Sequence, residues 1–74
     1  MVAKLKEELQ RATLLIAEAK ARILLQRQLI AKLAIAGKPT ADAEQTLAVM
    51  LSLLDRMHEQ RKYILRQVLP LSIH

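Results

Sequence analysis

Cysteine is absent from this chain of 74 residues, so no disulfide staples it and no thiolate serves as nucleophile or metal ligand. Phe and Trp are missing as well, leaving Tyr63 as the single aromatic side chain. Base stacking, on which readers of single-stranded nucleic acid rely, has only that ring to work with. A lone glycine, Gly37, excludes the phosphate-cradling loops that need several. Long hydrophobic runs are lacking too. The longest stretch without charge, residues 45–54, is half of the ~20 residues that a membrane span requires. Near the start, Lys4, Lys6, Glu7 and Glu8 interrupt any signal-peptide core. These absences predict a cytoplasmic chain with no membrane span and a mature start close to Met1, and the lack of Cys agrees with a reducing compartment.

Catalytic groups are equally sparse. His58 and His74 are the only imidazoles. Asp55-x-x-His58 lacks the further ligands that a zinc site needs and reads as part of a solvated face. Ser52 and Ser72 stand in no nucleophile motif. No catalytic residue, cofactor or metal is therefore expected, and the chain reads as a non-enzyme.

Aliphatic residues are what the sequence has in quantity. Apolar residues make up 53% of it, nearly all Ala, Leu, Ile, Val and Met, the composition of a helix bundle. A 3-4 apolar repeat runs through Val2, Leu5, Leu9, Ala12, Ile16, Ala19, Ile23, Gln26, Ile30 and Leu33. A second runs through Ala43, Leu47, Met50, Leu54, Met57, Arg61, Ile64 and Val68. Such seams are those of helices that pair lengthwise. Gln26 fits a register-fixing amide, and Arg61 is either a seam arginine with its head in water or a guanidinium turned towards a carboxylate or phosphate.

Between the seams stands Gly37-Lys38-Pro39-Thr40, the one strong break. Glycine suits the left-handed residue just past a helix end, and threonine suits the N-cap of the next helix, with Asp42 and Glu44 near its positive dipole end. The expected fold is all-α: an antiparallel two-helix hairpin, with helices at 4–36 and 40–69, a turn at 37–39 and a tail at 70–74 after Pro70 disfavours helix. With the turn centred near Lys38, facing residues should have numbers summing to 76 or 77, which sets Gln26 against Met50, Ile16 against Arg61 and Ala12 against Ile64.

More apolar surface is present than one hairpin buries. Leu14, Leu24, Leu25 and Ile35 lie off the first seam, and Val49, Leu51, Leu53 and Leu65 off the second. A helix apolar almost all round is normally buried on more than one side. Two hairpins packing face to face into a four-helix bundle would cover this surface, so a homodimer is expected, with Leu14, Leu24, Leu25 and Ile35 as the partner interface.

Charge is unevenly placed. Residues 1–37 hold seven basic and three acidic side chains, and the five charges between Glu18 and Asp42 are all basic. Lys20, Arg22, Arg27 and Arg61 are the candidates for contact with a polar or acidic partner. A non-catalytic protein-protein interaction module, such as an adaptor, inhibitor or small regulatory subunit, is the leading functional expectation. The alternative is a hairpin dimer that binds RNA through the basic residues of its first helix.

The stretch Arg27-Gln28-Leu29-Ile30-x-x-Leu33-x-x-x-Gly37-x-x-Thr40-x-x-Ala43-Glu44-x-x-Leu47, with Leu51, Leu54, Arg61, Ile64 and Leu65 after it, resembles a group of short uncharacterised proteobacterial helical-hairpin proteins. The resemblance covers about 40 residues, from Arg27 to Leu65. It implies a bacterial hairpin and carries no ligand, activity or site residue with it.

Overall fold

The computed structural model describes the backbone of residues 2–72 and the side chains of residues 3–69. Two helices, α1 (Val2–Ile35) and α2 (Ala41–Ser72), pack against each other. They are antiparallel: Arg61 late in α2 bonds to Thr13 early in α1, while Gln26 late in α1 reaches Ala43 at the start of α2.

The reversal is built by backbone hydrogen bonds at the end of α1. The Lys38 amide donates to the Leu33 carbonyl at 2.9 Å and the Gly37 amide to the Ala34 carbonyl at 3.0 Å. Together they form a Schellman closure with Gly37 as its left-handed residue, at φ +71°. A Cβ at Gly37 would meet nothing within 4 Å, so its requirement is purely one of backbone conformation. Gly37→Val is therefore expected to lower stability by about 1–2 kcal/mol, read as a lower midpoint in urea. Gly37→Asn, which tolerates positive φ, should recover most of that loss. After the turn, the Thr40 carbonyl accepts the Glu44 amide at 2.8 Å, the first bond of α2, with Asp42 and Glu44 in its first turn.

The far end of α2 differs from expectation. Proline was expected to end the helix near Leu69, yet α2 continues through Pro70 to Ser72. In the last turn the proline ring removes one backbone donor rather than breaking a ladder that must continue. The turns before it are pinned to α1 by Ile64 and Val68. Of the expected tail, Ile73 and His74 lie outside the described residues.

Burial follows the seams. On α1, Leu5, Leu9, Ala12, Ile16, Ala19, Ile23, Gln26, Ile30 and Leu33 are the buried or half-buried positions; the side chain of Val2 lies outside the described residues. All eight seam positions of α2 are likewise covered, and Leu51, His58 and Leu65 join them. Leu51 and Leu65 are thus less available to a partner than their off-seam positions suggest. With His58 they form a row at seven-residue spacing beside the seam. The innermost residues are Ile16, Ile23, Ile64 and Val68, each 5–7% exposed.

Gln26 bonds a residue other than the Met50 expected to face it. Its Nε2 donates to the Ala43 carbonyl at 2.8 Å. A half-buried amide must find a partner, and the small side chain of Ala43 leaves its carbonyl within reach. Ala12 with Ile64, and Ile16 with Arg61, each line a common depression between the helices.

The molecule is a rod of 58 × 15 × 15 Å with a radius of gyration of 17.0 Å. A compact chain of this length would have about 11 Å. Among the described residues no side chain is fully enclosed, because each helix has only one neighbour.

Candidate interaction surfaces

The accessible surface is 5939 Å² for 8.4 kDa. A compact monomer of that mass exposes roughly 4,600 Å², and its unfolded chain roughly 12,200 Å². The hairpin thus buries about half of its unfolded surface, where a small domain buries about 60%. The excess is of the order of 1,300 Å², more than the ~800 Å² that each partner contributes to a standard protein interface.

The surplus falls on distinct faces, which follow from helical spacing. Leu14 and Ile35, 58% and 88% exposed, are 21 residues apart and share the outer stripe of α1, opposite α2. Leu24 and Leu25, 57% and 63% exposed, flank that stripe on opposite sides. The four expected interface residues are therefore all exposed, and they do not form one patch.

A more coherent apolar edge involves residues outside that expected interface. Leu15 and Leu53 line one depression with Ala12, Arg56, Met57 and Gln60, so the two leucines bridge the helices along one side of the seam. Leu29 is two heptads on from Leu15, and Val49 is one turn before Leu53, both exposed on the same side. The signal was available in the 15–22–29 spacing directly beside the seam of α1. Leu25 borders this edge, and Arg22 is the residue between Leu15 and Leu29 in the row.

The opposite edge is basic. Lys20 lines a notch of about 280 Å³ between the helices with Thr13, Ile16, Ala17, His58 and Arg61. Arg27 lies seven residues on from Lys20, so the same edge carries it. The polar-contact candidates therefore divide, with Lys20, Arg27 and Arg61 on this edge and Arg22 on the other. Arg61 is half-buried: its Nε donates to Thr13 Oγ1 at 3.0 Å, and the Thr13 hydroxyl donates to the Leu9 carbonyl at 2.9 Å. That relay ties the guanidinium to α1 at the seam margin, where Arg61 lines the notch.

His58 had been read as part of a solvated face. It is half-buried and shares the notch with Lys20 and Arg61. Its place in the 51–58–65 row beside the seam was the signal for this. Among the described residues the ion pair is Lys62 Nζ to Glu59 Oε1 at 3.5 Å, both well exposed, a contact that contributes little to stability. Among the described residues, no three of His, Asp and Glu stand together as metal ligands, and no helix is long and apolar enough to cross a membrane. No family model, curated protein or solved structure matches this chain.

Proposed function

We propose that the chain is a non-catalytic interaction module: a helical hairpin that pairs with a second copy into a four-helix bundle and, as that bundle, docks another protein. The observation that carries this reading is the mismatch between interior and surface. Among the described residues, ten large apolar side chains are exposed, against four that are buried. Scattered apolar residues on a surface are ordinary, but Leu15, Leu29, Val49 and Leu53 lie along one edge, and contiguous apolar patches mark association sites. A second hairpin seated on that edge would extend each two-helix seam into a bundle core. Leu14, Leu24 and Ile35 would remain outside it, for a protein partner to cover.

Sedimentation at micromolar concentration tests the self-association. A dimer is expected, and its thermal midpoint should rise with protein concentration because folding and assembly are linked. A folded monomer whose midpoint is independent of concentration would refute the proposal.

A second reading, RNA binding by the hairpin dimer, is favoured by the row of Lys6, Lys20 and Arg27 along the other edge. It requires an affinity that falls steeply between low and physiological salt, as phosphate neutralisation releases counterions. Retention on RNA that ignores salt counts against it.

A further inference from the structure

The notch between Lys20, His58 and Arg61 has the make-up of an anion site, and we propose that it binds a phosphate group. Three nitrogen-bearing side chains, two of them permanent cations, come from both helices to line it, and no carboxylate does. Among the described residues, Lys20, His58 and Arg61 make no ion pair. The nearest acidic residues along α2 do not line the notch: Asp55 lies one turn before His58, and Glu59 is engaged by Lys62. Two cations without an acidic partner line the same notch at the helix-helix seam, so their like charges repel. A bound oxyanion would relieve that repulsion.

The geometry supports a phosphate rather than a diffuse counterion. Thr13 occupies Nε of Arg61, which leaves four N–H groups on the two Nη atoms in a planar fork suited to two oxygens of one oxyanion. The relay from Leu9 through Thr13 fixes that fork, so little side-chain entropy is lost on binding. Lys20 supplies a mobile charge from the facing helix, and His58 adds a ring N–H. Ile16 and Ala17 form an apolar floor, which lowers the local dielectric and strengthens the charge contacts. At about 280 Å³ the notch is below the usual range for drug-sized ligands and suits one or two phosphate groups. The site is independent of the proposed self-association, because it opens on the edge opposite Leu15 and Leu53.

Titrating the full chain with inorganic pyrophosphate, by calorimetry and by following the histidine ring protons by NMR, tests this. Saturable binding is expected, with the His58 ring signals shifted. Lys20→Gln and Arg61→Gln should each weaken binding about tenfold, the effect of losing one charge-assisted contact. Arg66→Gln, on the outer face of α2, should leave binding unchanged. Lys20 is exposed, so its variant keeps the fold whatever replacing the seam arginine does. A short RNA duplex forms a second arm. Displacement of the RNA by pyrophosphate makes a nucleic-acid backbone the source of the phosphate, whereas pyrophosphate binding without RNA retention makes it a free phosphate compound. Absence of saturable binding in both arms, or equal weakening by Lys20→Gln and Arg66→Gln, overturns the assignment.

Discussion

Ile23→Asp is expected to abolish the hairpin, with loss of most of the helical circular-dichroism signal at 25 °C. Ile23 is among the innermost residues, 7% exposed and mid-seam. The substitution removes the ~2–3 kcal/mol gained by burying an isoleucine and places a carboxylate in the apolar seam, where its desolvation is costly. The total stability of a domain of this length is about 4–11 kcal/mol, and a rod with one neighbour per helix belongs at the low end of that range. A burial loss and an unpaired charge together exceed what such a core can absorb. Ile23→Val, which deletes one methylene, should cost only about 0.5–1.5 kcal/mol and retain the fold. A helical Ile23→Asp variant with an unchanged melt would show that the seam does not hold the chain together.

Leu53→Asp is expected to have the second largest effect, on assembly rather than on the fold. Leu53 is 45% exposed, so a lone hairpin tolerates the charge there. In a two-fold symmetric dimer the side chain is lost twice. Only the 45% of each leucine that the hairpin leaves exposed remains to be buried, so at ~0.7–1.3 kcal/mol each the dimer weakens by roughly 1.4–2.7 kcal/mol, or one to two powers of ten in Kd. Sedimentation should then show monomers at concentrations where the parent chain is dimeric, with helicity largely kept in both. Leu24→Asp, on the basic edge, discriminates between faces: it should leave the dimer intact. The reverse outcome, dissociation by Leu24→Asp with Leu53→Asp still dimeric, would move the self-contact to the edge that carries Lys20 and Arg27.

Much of this architecture can be read from local rules. Each helix meets its partner through every third or fourth residue, and positions 5 to 33 of α1 turn inward where the 3-4 repeat puts them. Gly37 has the positive φ that its place after a helix end demands. These features depend on neighbours within one or two turns, and the sequence spells out such neighbours. Pro70 shows the limit of a local rule. Its preference is weak enough at a helix end to yield to the anchorage that Ile64 and Val68 provide.

Relations across the hairpin were much less legible. That Gln26 would bond the Ala43 carbonyl depends on how far an amide reaches across a seam, which no periodicity encodes. Along α2 alone His58 belongs to a solvated face, and only the packing of α1 brings it into one notch with Lys20 and Arg61. The surplus leucines were recognisable as surplus because apolar excess is a property of composition. Their division into a Leu15 and Leu53 edge and a separate outer stripe is a property of two helices at once. Spacing along one helix sets the direction of each side chain from that helix alone. Which directions converge, and so where a patch or a charged notch forms, is set by the packing of one helix on the other.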